Sequence, residues 1–231
     1  MNYPTYPNQS IKKKLFIFDL DGTLADTSLD IAAATNYACR ELGLRLIDPA
    51  LIPAMVGGGI NKLLERALGS ASSPDRIAKA RSFFDQYYQG NMLKHTRLYP
   101  GIREVLVSFK DKTLAVLSNK HEPYTLEIVK GLGIAGYFQL VIGGRKDLLP
   151  KPAPDSILYI LSKLEEKPEN AVMIGDTEAD IAAAKAAKVL SCAVSYGFRT
   201  TDQLNHLHPD MLIDKAAVLQ KIFLPLNEKN D

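Results

Sequence analysis

At 231 residues the chain is long enough for one sizeable core and a smaller insert. An apolar fraction of 46%, a charged fraction of 23% and a net charge of +2 are ordinary for a globular chain, and they give no reason to expect nucleic acid or an anionic membrane as partner. No stretch approaches the ~20 apolar residues of a membrane span. Cys39 and Cys192 lack CxxC spacing and nearby histidines, so reduced, partly buried thiols and a cytoplasmic location are expected.

Residues 1–10 are polar and proline-containing, which predicts a loose tail. Lys12-Lys13-Lys14 ahead of apolar residues imitates a signal peptide. Asp19 and Asp21 interrupt that run almost at once, however, and no small-residue cleavage site follows. Leu15-Phe16-Ile17-Phe18 reads as a short buried strand, and it runs straight into Asp19-Leu20-Asp21-Gly22-Thr23-Leu24-Ala25-Asp26. In a regular strand Asp19 and Asp21 would point to opposite faces. If the chain turns after Asp19, both can face one pocket at the strand's carboxyl end, where ligands collect in open parallel sheets. One carboxylate could then attack while the other shuttles a proton. Taken alone, the pair reads more readily as a solvated acidic turn.

From Asp26 to Arg97 the pattern becomes helical. Leu29, Ile31, Ala32, Ala33, Ala38 and Leu42 form an amphipathic run closed by Gly43. Residues 49–56 predict a short helix broken by Gly57-Gly58-Gly59, and 60–68 a third helix with Leu63, Leu64, Ala67 and Leu68 on one face. Pro74 suits the start of a long helix over 75–93. Tyr99-Pro100-Gly101 is a breaker, which places linkers near Asp26 and around 97–100. Beyond it helices and strands alternate, with helices over 102–110, 123–132, 155–164 and 179–188. Strands are expected over 114–117, 140–142, 172–174 and 192–194, and 211–213 adds an edge strand. Such alternation implies right-handed crossovers and a parallel sheet covered on both faces.

Three segments join the acid pair in chemistry. Ser118-Asn119-Lys120 ends one strand, Lys151 stands between Pro150 and Pro152, and Asp176 and Asp180 follow the strand at 172–174. In this order, strand with DxDGT, strand with a hydroxyl, lysine, then strand with an acid pair, the chain resembles the haloacid dehalogenase superfamily in its phosphatase form. The resemblance implies a Rossmann-like α/β core over 1–25 and 99–231, with an inserted all-helical cap over 26–98. It also implies a Mg²⁺ cofactor and a small phosphorylated metabolite as substrate, in a monomer or homodimer.

Residue by residue, the resemblance makes Asp19 the nucleophile that becomes an aspartyl-phosphate, and Asp21 the acid that protonates the leaving alcohol and then deprotonates water. Asp19 and Asp176 would ligate the metal with their side chains and Asp21 with its backbone carbonyl. Gly22 and Thr23 are expected to shape a turn whose N–H groups face the phosphoryl oxygens. The Ser118 hydroxyl would donate to phosphate, though taken alone it reads more readily as a helix cap. Lys151 would supply a fixed cation. Asn119 would orient its loop or bond the substrate, and Asp180 would hold a metal-bound water or brace Lys151. In the cap loop, the glycines, Gly58 among them, would let backbone N–H groups approach a substrate carboxylate. His121 reads as a pocket residue or a helix cap, and Arg199 as a substrate contact or a surface charge. His95, His206 and His208 show no metal-ligand spacing.

The cap layout, the glycine loop and Tyr196-Gly197 make phosphoglycolate phosphatases the nearest resemblance. A phosphosugar mutase would share Asp19 and Asp21, and pyrophosphatases share this kind of cap. A dehalogenase would have no use for Asp21 or the metal cluster. A phosphonate hydrolase would need a desolvated cap lysine, for which Lys62 is the candidate. A non-catalytic binding protein is disfavoured because no motif residue is lost.

Overall fold

The computed structural model describes residues 11–226, so the expected tail over 1–10 lies outside the described residues. In chain order the elements are β1 (Leu15–Phe18), β2 (Ala25–Asp26), α1 (Ser28–Glu41), α2 (Ile52–Met55), α3 (Ile60–Leu68), α4 (Pro74–Asn91), β3 (Arg97–Leu98) and α5 (Ile102–Ser108). There follow β4 (Thr113–His121), α6 (Glu122–Gly131), β5 (Leu140–Gly144), α7 (Asp155–Lys163), β6 (Ala171–Gly175), α8 (Glu178–Ala186), β7 (Leu190–Val194), α9 (Thr201–Asn205), β8 (Met211–Ile213) and α10 (Val218–Ile222).

Six strands form a parallel sheet in the order β5-β4-β1-β6-β7-β8, with β8 at one edge. The strand carrying the acid pair, β1, sits between β4 and β6, with Phe18 in register with Val116 and Ile174. The ends of β1, β4 and β6 are thereby brought side by side, and each carries polar residues of the motifs. Alternation along the strands sorts the apolar side chains by face. Phe16, Phe18, Leu114, Val116, Val172 and Ile174 belong to one buried cluster, Leu15, Ile17, Ala115, Leu117 and Met173 to another. Each fully buried side chain of this size contributes roughly 1.5–3 kcal/mol. On the first face Phe16 meets Phe109 and Phe223, ring centres 4.6 and 4.9 Å away.

α1–α4 lie between β2 and β3 in the chain, and their apolar side chains Ile31, Ile52, Leu63, Leu64, Phe84 and Tyr88 continue the first cluster. The expected helix at 49–56 is a 3₁₀ turn over Pro49–Leu51 leading into α2. Ser73 caps α4 by accepting from Arg76 N–H, with Pro74 in the first turn. Where the sequence predicts two plain linkers, the chain pairs them: β2 and β3 are antiparallel, Asp26 opposite Arg97. Buried Asp30 accepts from the backbone N–H groups of His95 and Thr96 and from the Thr96 hydroxyl, fastening the chain just before β3 to α1. α9 and α10 were not anticipated; they are short, and α10 follows the edge strand. Cys39 and Cys192 are free and fully buried rather than partly so. No helix among the described residues is long and apolar enough to cross a membrane.

Candidate active site

After Phe18 the backbone leaves the sheet, and a tight turn follows in which Leu20 C=O accepts from the N–H groups of Thr23, Leu24 and Ala25. The turn puts Asp19 and Asp21 on the same cavity, as their spacing and Gly22 suggested. Gly22 is required twice over. Its φ of +84° suits glycine, and a Cβ would stand 2.2 Å from Asp176 Oδ2. One expectation is corrected here. The N–H groups of Gly22 and Thr23 are bonded to Ala25 and Leu20 carbonyls, so they do not face a ligand. Thr23, fully buried, instead donates its hydroxyl to Asp176 Oδ1 at 3.0 Å.

Around Asp19 one lysine organises the charges. Lys151 Nζ stands 3.0 Å from Asp19 Oδ1, 2.6 Å from Asp180 Oδ1 and 2.9 Å from Leu117 O. Asp19 Oδ1 also accepts from Leu20 N–H at 2.7 Å, while Oδ2 accepts no hydrogen bond among the described residues. Burial pushes the Asp19 carboxyl up to about 7; Lys151 opposes that rise, and Asp180 and Asp21 add to it. For Lys151 burial acts downward, but Asp180 and Asp19 outweigh it and the ammonium is held above its ordinary value. The lysine is a permanent cation.

Asp180 is committed. Its second oxygen accepts from Thr177 N–H and hydroxyl at 2.9 and 2.7 Å, capping α8, so it braces Lys151. Asp176 accepts from Thr23 and, at 2.7 Å, from Phe198 N–H. Burial and the carboxylates of Asp180 and Asp19 raise its carboxyl well above the usual range. Asp19, Asp176 and Asp180 each place an oxygen within 4.8 Å of the others. Buried carboxylates that close, with Lys151 among them, repel one another, and an oxygen-only donor set of this kind fits a hard divalent cation. Gly197 lets the chain pass, since a Cβ there would lie 2.2 Å from Gly22 O and 2.5 Å from Asp176 Cβ.

Asp21 is held from the other side. Thr27, ahead of α1, donates its hydroxyl to Oδ1 at 2.6 Å, and Lys120 Nζ lies 3.2 Å from the same oxygen. Ser118 lines the cavity from within β4, so it is not a helix cap; His121 occupies that position without capping through its side chain. Asn119 is taken up structurally. Its amide donates to Gly57 O and Lys151 O, and its oxygen accepts from Lys151 N–H. Its side chain thus joins β4, the lysine loop and the cap loop.

On the cap side the cavity is lined by Gly57 and Gly59, at φ of +122° and +81°, and not by Gly58. Gly58 faces an outer cleft, where a Cβ would meet the Lys62 side chain 2.8 Å away. The expectation for Gly58 is therefore corrected to its two neighbours, whose left-handed φ turns the loop inward. Lys62 is exposed, which removes the basis for a Schiff-base lysine. Arg199 is neither a surface charge nor a cavity residue. It is 8% exposed and donates to the cap carbonyls of Pro53 and Val56 while paired with Glu178 at 3.0 Å.

Sequence reasoning missed Lys120, Thr27 and Tyr88. Lys120 adjoins the hydroxyl motif directly, which was the available signal; Tyr88 sits in an ordinary amphipathic helix and gave none.

Fold and site together are those of an α/β hydrolase with its acids at the carboxyl ends of parallel strands. The chain belongs to the haloacid dehalogenase-like hydrolase family, whose profile it matches over residues 16–194. It is 36% identical over 211 residues to the phosphoglycolate phosphatase of Aquifex aeolicus, covering 90% of this chain and 96% of that one. It is 33% identical over 219 residues to the phosphoglycolate phosphatase of Vibrio cholerae, with coverage of 91% and 97%. Among solved structures, one from Haemophilus somnus superimposes with a TM-score of 0.85 at 30% identity, covering 91% of this chain and 97% of that one. Another, from Lactobacillus delbrueckii, gives 0.88 at 28% identity, covering 93% and 99%. Both are described as candidate phosphoglycolate phosphatases.

Proposed function

We propose that this hydrolase is a Mg²⁺-dependent phosphomonoesterase that works through a phosphorylated Asp19, with 2-phosphoglycolate as its substrate. The observation that carries the mechanism is the asymmetry of Asp19: Oδ1 is pinned by Lys151 and Leu20 N–H, and Oδ2 accepts no hydrogen bond among the described residues. A carboxylate so oriented is a positioned nucleophile. Oδ2 attacks phosphorus, the bond from phosphorus to the ester oxygen breaks, and Asp21 gives that oxygen its proton. Asp21 then takes a proton from water, the water oxygen bonds to phosphorus, and the aspartyl-phosphate bond breaks to return Asp19 and inorganic phosphate. Ser118 Oγ donates to a phosphoryl oxygen, and Lys151, its three donors engaged, contributes a fixed positive charge behind Asp19.

Asp19 and Asp176 would hold Mg²⁺ with their side chains and Asp21 with its carbonyl; the bound ion neutralises charge shared by carboxylates and phosphoryl group. Asp180 is left outside that set because its Oδ1 is already paired with the Lys151 ammonium and its Oδ2 takes two hydrogen bonds from Thr177. The substrate rests on the relatives' names and on a cavity roofed by the cap loop. Phosphate release across small phosphate esters, with Mg²⁺ and with chelator, tests the reading. It predicts the highest kcat/KM for 2-phosphoglycolate and none with chelator. Conversion of a hexose 1-phosphate to its isomer without phosphate release would instead favour a mutase.

A further inference from the structure

The cavity between cap and sheet is lined on the cap side mostly by apolar groups, among them Ile31, Val56, Leu63 and Phe84. Arg81 and Tyr88 are the polar side chains the cap adds. Arg81 is already partnered, its Nε 2.6 Å from Asp85 Oδ2, and Asp85 also accepts from the Tyr124 hydroxyl. Tyr88 differs. It is fully buried, and its O–H finds no acceptor among the described residues, the Lys120 ammonium being the polar group beside it. Among the described residues the other buried side-chain polar atom without a partner is Asn205 Nδ2, which does not line this cavity. Leaving a buried hydroxyl unpaired is costly, so its retention on a cavity wall asks for a ligand that completes it.

Lys120 ties this hydroxyl's ring to the chemistry. Its ammonium lies 4.8 Å from the Tyr88 ring centre and 3.2 Å from Asp21 Oδ1. The order Asp21, Lys120, Tyr88 therefore runs from the acid that serves the ester oxygen to the cap helix α4. A substrate anchored at Asp19 places its ester oxygen at Asp21, and the next atoms of its leaving group enter the space beside Lys120 and Tyr88. A cation and a neutral hydroxyl donor side by side match an oxygen anion and offer nothing to a bare alkyl chain.

We propose that Tyr88 and Lys120 form the subsite that reads the non-phosphate end of the substrate, and that this end is a carboxylate close to the ester oxygen. The inference rests on the phosphatase reading and deepens it. Tyr88 acts there as donor, since burial pushes its hydroxyl up to about 12 against the pull of Lys120. Other anionic phosphate esters, with longer chains, would put the charge beyond this pair.

The test is Tyr88→Phe in the Mg²⁺-loaded enzyme, measured as kcat/KM for 2-phosphoglycolate and for ethyl phosphate, which has the same two carbons without the carboxylate. The ratio of the two should fall by about 10- to 100-fold, the worth of one hydrogen bond to a charged group. The melting temperature should stay level or rise, because an unpaired buried hydroxyl has been removed. A ratio within about threefold of wild type would overturn the proposal, and so would a lowered melting temperature, which would mean the hydroxyl is already satisfied in the free protein. Wild-type enzyme separates the two levels of the argument. No phosphate release from 2-phosphoglycolate, ethyl phosphate or p-nitrophenyl phosphate would bring down the phosphatase reading and this inference together. Release without preference for the carboxylated ester would bring down the inference alone.

Discussion

Lys151 and Asp180 meet at 2.6 Å with neither side chain more than 2% exposed. The same ammonium reaches Asp19 at 3.0 Å, so the last acid of the chain's cluster holds the first one in place through a lysine. Removing one partner of such a buried pair leaves a charge without compensation, which costs about 3–5 kcal/mol. Asp180→Ala should therefore lower unfolding stability by that order and reduce kcat through a mispositioned Asp19. Denaturant unfolding at neutral pH measures the first effect. A loss under about 1 kcal/mol would show that Lys151 does not depend on Asp180.

Asp21→Asn should slow turnover of an alkyl phosphate by roughly 10²–10⁴, the range of general acid–base catalysis. With p-nitrophenyl phosphate, whose leaving group needs little protonation, the loss in the phosphorylation step should shrink. Pre-steady-state release of p-nitrophenol against that of an alkyl alcohol reads the difference. Equal losses in that step would remove Asp21 from the role of acid.

Charge in the acid cluster predicts a pH dependence of the metal-free protein. Asp19 rises from its ordinary 3.8 to about 7 in the folded state, so in that window the folded protein holds a proton the unfolded chain has lost. Stability then falls as pH rises through the window, and the whole penalty is present above it. A bound divalent cation offsets the carboxylate repulsion. The gain in melting temperature from Mg²⁺ over EDTA should accordingly be larger near about pH 8 than near about pH 5. A gain that is equal at both pH values would contradict the assignment of the metal to these acids.

Arg199 fastens the cap to the core through Pro53 O, Val56 O and Glu178. Arg199→Ala should raise KM for the small ester by about tenfold and speed proteolytic cleavage at the β2 and β3 linkers, since the cap is less often closed. Unchanged KM and unchanged cleavage would make the arginine merely structural within the core.

Much of this was legible in the sequence. Each catalytic motif is a local event, a buried apolar strand followed by polar residues, so its position on the sheet follows from periodicity and from the parallel connections. The insert's four helices were readable for the same reason. What escaped depends on contacts between distant segments. β2 and β3 are two residues each and exist because Ala25 finds Leu98 across the whole insert. Tyr88 carries a helix-face pattern like any core residue, and its place on the cavity wall appears only when α4 brings it beside Lys120 of β4. Arg199 gave no sign of its partners, since Glu178 opens α8 and the carbonyls of 53 and 56 belong to α2 and its C-terminal cap. Thr23 and Gly58 were misplaced because a turn's sequence specifies that it turns, not which of its N–H groups remain free.

Most direct is a measurement of the covalent step at Asp19. In Asp21→Asn with p-nitrophenyl phosphate and Mg²⁺, phosphorylation needs little acid assistance while breakdown lacks its base, so the intermediate should accumulate. Acid quenching, proteolysis and mass spectrometry should find one phosphoryl group, on the peptide containing Asp19, and none when Asp19 is also replaced by Asn. Continued turnover with no phosphoryl group on Asp19, or with the group on another residue, would contradict the account.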